Sequence, residues 1–218
     1  MNDISAFNSH YGHWGLVAVM IVLMSWVLYR YVAPKSWREW AGAGLVQAFV
    51  IALYAEMYGF PLTIYLLTAI LGLDIPRTAF TGHLWATMLG YGAMGANVEM
   101  LLGGAFILLG LALLIRSWTT VYRARREGCI AEDELYGLMR HPQYAGIILA
   151  VFGQIVHWPT LITLLLFPVI VVAYVRLARK EERDMIRRFG IAYETYRLRV
   201  PMFFPGRAQW KELLGGLR

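Results

Sequence analysis

An all-α, polytopic bundle of transmembrane helices is the fold this sequence predicts, and three observations predict it. Of 218 residues, 59% are hydrophobic and only 16% charged, where soluble chains run at about 45–50% and about 25%. Several apolar runs approach the ~20 residues an α-helix needs to cross the ~30 Å hydrocarbon core. The positive charges then sort by side: of 20 Lys and Arg, a five-span arrangement leaves only Arg77 on the face opposite the rest, as cytoplasmic loops rich in Lys and Arg require.

The elements follow in order. Met1 to His13 carries no Lys or Arg, and the apolar run behind it lacks a small-residue cleavage pattern, so it reads as a retained first helix rather than a signal peptide. The first span covers Trp14 to Tyr31 and ends in a basic turn of Arg30, Pro34, Lys35 and Arg38. The second begins near Trp40 and continues past Glu56 to the break at Gly59-Phe60-Pro61. Between Pro61 and Asn97 no run is adequate: Leu62 to Leu73 is too short and His83 to Asn97 is interrupted by glycines. Bent, interfacial or re-entrant helix on the outer side is expected there, since irregular backbone survives at membrane depth only where protein covers it or water lines it. Met100 to Trp118 is the third full span, with Gly103, Gly104 and Gly110 offering close helix approach.

A cytoplasmic connector rich in Arg and Glu, Thr119 to Arg140, leads to a helical hairpin. Its arms are Tyr144 to His157, short for a perpendicular crossing, and Thr160 to Leu177, turned at Trp158-Pro159. From Arg179 the tail is polar and at first helical, and Phe204-Pro205-Gly206 ends the ordered part. The count is five spans, or seven if the Pro61–Asn97 stretch crosses twice, and either parity puts the N-terminus outside and the C-terminus in the cytoplasm. Residues 1–118 form an N-terminal transmembrane region, and 119–218 a hairpin with a cytoplasmic tail.

A net charge of +6 beside so much apolar sequence points to anionic lipid headgroups rather than nucleic acid, because no basic stripe separates from the membrane flanks. The single Cys129 excludes an internal disulfide. His10 and His13 have no companion at metal spacing, so no metal site is expected. Glu56, Asn97 and Glu99 lie in or near apolar sequence without an identifiable partner and are expected at the exposed interface. His157 is expected as an interfacial residue of the hairpin tip.

Two blocks carry chemistry. The first runs Tyr136-Gly137-Leu138-Met139-Arg140-His141-Pro142-Gln143-Tyr144-Ala145-Gly146 at the mouth of the hairpin. Pro142 turns His141 out of helical geometry and starts the next helix, whose exposed amides favour an anionic group. Gly146, one turn inside, leaves room for a flat ring or another backbone. The second block, after the hairpin, is Arg179-Lys180-Glu181-Glu182, then Phe189-Gly190, Tyr193, Tyr196 and Val200-Pro201. Two adjacent carboxylates flanked by Arg176, Arg179 and Arg183 make a charge network beyond what an anchor needs.

Together, in this order, the blocks resemble the isoprenylcysteine carboxyl methyltransferase and phospholipid methyltransferase superfamily, over roughly Trp118 to Pro205. The resemblance implies an integral membrane enzyme whose S-adenosylmethionine pocket is built by the last two helices and the C-terminal segment. It implies Tyr136, Arg140, His141, Pro142, Tyr144, Gly146, Tyr193 and Tyr196 around the cofactor. Glu181 and Glu182 are implied where cofactor and acceptor meet, with Arg176 or Arg179 as the catalytic arginine, since the family's usual position four residues before the first glutamate holds Leu177. Glu134-Leu135 stands ahead of Tyr136 where relatives tend to have Gly-Pro, which implies a differently shaped loop.

Transfer from a sulfonium asks the protein to hold donor and acceptor in near-attack geometry and to exclude water. A carboxylate acceptor calls for an orienting Arg, and an amine or thiol for a carboxylate or histidine to take its proton; the sequence supplies both sets. The expected partners are membrane lipids and a lipid-like or small hydrophobic methyl acceptor. Two rivals remain at this level: a membrane reductase with a nicotinamide cofactor, for which no dinucleotide glycine fingerprint is present, and a non-enzymatic scaffold or transporter using the broken helices.

Overall fold

The computed structural model describes residues 3–32, 37–78 and 80–206. Pro34 and Lys35 of the expected basic turn, and the basic residues beyond Gly206, lie outside the described residues. The described chain is helical: α1 (Asp3–His10), α2 (Trp14–Val32), α3 (Trp37–Tyr54) running into a π-helical turn (Ala55–Gly59), α4 (Leu62–Ala69), α5 (Leu84–Leu89), α6 (Gly92–Glu127), α7 (Leu135–Leu138), α8 (Pro142–His157), α9 (Leu161–Phe189) and α10 (Ile191–Arg199).

Among the described residues four helices are long and apolar enough to cross a membrane, at Trp14–Tyr31, Glu39–Gly59, Gly92–Glu127 and Leu161–Phe189. With 16 residues, α8 rises about 24 Å, short of a perpendicular crossing. It is the fifth expected arm. Neither α4 nor α5 spans. At 36 residues, α6 is about 54 Å long, far beyond the expected Met100–Trp118. The glycines ahead of Met100 do not stop it because helix entry needs no side chain there, and it ends only where Gly128 turns to φ +70°. The first part of the expected connector is therefore helix, carrying Arg123, Arg125 and Arg126 beyond the apolar section.

The chain divides into two compact units, residues 1–107 with 151–171, and residues 108–150 with 172–218. The first contains the correction to the expected interfacial carboxylates. Glu56 and Glu99 are buried, and only Asn97 is exposed. The Glu56 Oε2 accepts the Thr63 amide at 2.7 Å, and the Glu99 Oε1 accepts the Ala86 amide. Each carboxylate thus serves the first turn of a short helix whose leading N–H groups have no partner within the helix. Glu99 also faces His83 at 3.5 Å.

At the hairpin tip, in the same unit, Trp158, Pro159 and Thr160 are buried and His157 is half-buried. Trp158 stacks on His10 at 5.2 Å, His157 meets His83 edge-on at 5.6 Å, and Leu161 donates its amide to Thr63. Here Gly103 and Gly153 let α6 and α8 touch backbone to backbone: a Cβ on Gly153 would stand 2.8 Å from the Gly103 carbonyl oxygen. Residues 108–150 and 172–206 hold the chemical blocks.

Candidate functional site

Local backbone chemistry sets the first block. Met139 is extended, Pro142 opens α8 with a position that needs no amide donor, and the segment between them pairs with the C-terminal chain. Arg140 donates its amide to Pro201 O at 2.9 Å and His141 to Met202 O at 3.0 Å. The second block rides on the C-terminal part of α9, which is helical to Phe189 and sets Glu181 and Glu182 on one continuous turn.

The two blocks meet. Arg140 Nε donates to Glu182 Oε1 at 2.7 Å, and its terminal nitrogen donates to Arg197 O at 2.9 Å and to Val200 O. One guanidinium therefore joins α9, the end of α10 and the strand-like exit. His141 lies between the carboxylates, with Nε2 3.2 Å from Glu182 Oε1 and Nδ1 3.6 Å from Glu181 Oε2. Tyr144 donates its hydroxyl to Glu181 Oε1 at 2.7 Å and lies parallel to the His141 ring, centroids 5.6 Å apart. Tyr196 donates to Tyr136 O at 2.7 Å, and Tyr193, Tyr196 and Val200 form a small core with Met185 and Phe189.

The electrostatics follow from this packing. Burial alone would depress the His141 imidazole, but Glu181 and Glu182 outweigh it and hold the pKa above the ordinary histidine value of 6.5. Two carboxylates facing the ring, one at each nitrogen, favour its protonated form. Burial first, and then the Glu182 charge, push the Tyr193 phenol up to about 12, so it remains a hydrogen-bond donor at any working pH.

Around this network is a cavity of about 320 Å³, lined by Tyr136, Arg140, His141, Glu181, Tyr193 and Tyr196 among others. That volume lies in the ~300–1,000 Å³ range of small-molecule sites. Six of the residues expected around the pocket thus share one wall. The others are placed differently. Glu182 is buried and turned toward Arg140 and His141. Pro142 is wholly buried, and Tyr144 is buried behind Glu181. Gly146 is at a helix contact, where a Cβ would stand 2.6 Å from Gly110 O. Arg176 and Arg179 are exposed. Among the described residues the guanidinium paired with Glu182 is that of Arg140, from the other block.

Other residues of the lining carry no mark in the two sequence blocks, among them Val121, Ala124 and Arg125 of α6 and Met185 and Arg188 of α9. Their spacings of three and four mark single helix faces. The signal was present in the α6 set but falls in the stretch read as connector.

The lining suits S-adenosylmethionine on two structural grounds. The Tyr136 hydroxyl is buried and has no hydrogen-bond partner among the described residues, an orphan donor that a bound polar group would satisfy. A carboxylate, Glu181, and the Tyr193 and His141 rings offer the anionic and aromatic surfaces that a sulfonium prefers.

Residues 96–187 match the isoprenylcysteine carboxyl methyltransferase (ICMT) family. Methanethiol S-methyltransferase 2 of Bradyrhizobium diazoefficiens is 41% identical over 75 residues, 33% of this chain and 27% of that protein. Methanethiol S-methyltransferase of a Pseudomonas species, strain GM41, is 30% identical over 108 residues, 49% of this chain and 39% of that protein. The chain thus matches well under half the length of these curated relatives. No solved structure matches.

Proposed function

Resembling the membrane-embedded isoprenylcysteine carboxyl methyltransferase superfamily through residues 96–187, this chain is, we propose, an S-adenosylmethionine-dependent methyltransferase. We assign it a small or lipid-like hydrophobic acceptor at the cytoplasmic membrane face, a small thiol foremost. The relatives named for methanethiol support the thiol. The distribution of Lys and Arg supports an outside N-terminus and a cytoplasmic C-terminus. The observation that carries the reading is that Arg140 and His141 meet Glu182 and Tyr144 meets Glu181 beside a cavity that Arg140, His141 and Glu181 line.

When bound, S-adenosylmethionine supplies an electrophilic methyl on a positive sulfur. The protein's own residues do the remainder. Glu181 presents its carboxylate to the cavity with one oxygen fixed by Tyr144. It balances positive charge there and accepts the proton that a thiol acceptor must lose as its sulfur bonds to carbon. Glu182 acts from behind: paired with Arg140 and His141, it fixes the imidazolium and the C-terminal segment rather than touching the reactants. Tyr193 and Tyr196 close the aqueous side and exclude water.

A radiolabelled methyl-transfer assay on the purified full chain, with short alkanethiols beside a prenylated cysteine and phosphatidylethanolamine, tests this. Label should appear on the thiol, and Glu181→Gln should lower turnover by about 100-fold or more with the helical fold retained. Unchanged turnover in Glu181→Gln removes the role given to that carboxylate, and no transfer to any acceptor removes the enzyme reading.

A further inference from the structure

The cavity has a second charged end that the methyl-transfer chemistry leaves unused. Arg125 lies in the last turn of α6 and Arg188 in the last turn of α9, and both line the cavity. Neither makes an ion pair among the described residues. Arg188 lies over the Phe189 ring at 5.0 Å. The other charges of the lining are engaged: Arg140 by Glu182, Glu181 by Tyr144 and His141, and Asp184 by Arg187 at 3.4 Å. The same lining holds Tyr136, 4% exposed, whose hydroxyl finds no hydrogen-bond partner among the described residues. Burial, followed by the Glu181 charge, raises that phenol's pKa, and Arg125 acts the other way, so the group stays a proton donor within the field of a guanidinium.

A buried hydroxyl donor in one cavity with two guanidinium groups that have no ion-pair partner among the described residues is a binding surface for an anion. Building on the donor-pocket reading above, we infer that Arg125, Tyr136 and Arg188 form a carboxylate subsite that takes the amino-acid end of the methyl donor. The spacing fits. Arg188 is seven residues past Glu181 on one helix, about 10 Å along its axis, so a flexible guanidinium reaches back to a carboxylate several bonds from a sulfur held near Glu181. The location also separates the two reactants. Arg125 and Arg188 are exposed on the aqueous ends of their helices, where a charged amino acid is at home and a hydrophobic acceptor arriving through lipid is not.

The test is binding of two nucleosides to the full chain in detergent by titration calorimetry: S-adenosylhomocysteine, which carries the amino-acid end, and 5′-methylthioadenosine, which lacks it. Wild type should prefer S-adenosylhomocysteine by about tenfold or more, as a charge-assisted pair warrants. Arg125→Gln and Tyr136→Phe should each erase most of that preference while leaving methylthioadenosine affinity in place. Because Arg125 is exposed, its substitution does not threaten the fold, and the ratio of the two ligands cancels any general loosening. Equal binding of the two nucleosides by wild type overturns the subsite, as does an unchanged ratio in both variants. Failure of wild type to bind either nucleoside overturns the donor pocket itself.

Discussion

Glu134 is in a conformation that glycine prefers, with φ +53° and ψ −119°. It is the residue where the superfamily tends to have glycine, so the departure that was visible in the sequence has a structural cost: the loop keeps the glycine-type turn and a β-carbon is forced into it. The strain is about 1–2 kcal/mol, and glycine returns part of that gain through a looser unfolded chain. Glu134→Gly should therefore raise the thermal midpoint by a few degrees at most; a fall would mean that the weak contact from Thr120 to Glu134, 3.4 Å long, outweighs the strain.

His141 makes a prediction of opposite character, because its pKa in the folded chain is raised above 6.5. A group shifted upward contributes its stability in full below the unfolded pKa and loses it as pH climbs through the folded one. The margin by which wild type out-melts His141→Asn should be largest below pH 6.5 and shrink toward alkaline pH. A margin that grew with pH would show that the imidazole is not held as a cation.

These same residues show what was legible. His141, Glu181 and Arg140 could be read because each is a charged or titratable type set by a proline or beside a twin carboxylate in an apolar chain. That Arg140 rather than Arg176 or Arg179 meets Glu182 could not be read, since it depends on which face of α9 turns inward.

At the scale of elements, the glycines have a definite use. Gly110 of α6 and Gly146 of α8 bring two backbones together in the unit that holds the site, and a Cβ on Gly146 would stand 2.6 Å from Gly110 O and 2.9 Å from Leu114 N. Both are main-chain atoms, so nothing can turn aside to make room. Gly146→Ala should cost about 1–3 kcal/mol, seen as a lower midpoint in detergent, and an unchanged midpoint would mean the helices part easily. The sequence had marked Gly110 as a packing residue and Gly146 as part of a ligand surface; both carry backbone contact. The length of α6 was hidden by its glycines and by the usual association of Arg-rich sequence with loops. Only the structure shows that one helix carries both the apolar span and Val121, Ala124 and Arg125 of the cavity.

For the molecule as a whole, apolar composition made the membrane helices plain, and the order of two short motifs made the chemical region plain. The stretch between Pro61 and Asn97 was opaque, because its short helices are held by carboxylates and by the hairpin tip, partners far away in the chain. Everything proposed for this chain depends on the region around Arg140, His141 and Glu181 being a pocket for a sulfonium methyl donor. Titrating the purified full chain with S-adenosylhomocysteine and, separately, with NADPH tests this most directly. Saturable binding of S-adenosylhomocysteine, weakened in Glu181→Gln and without competition from NADPH, is the predicted result; binding of NADPH alone would contradict it.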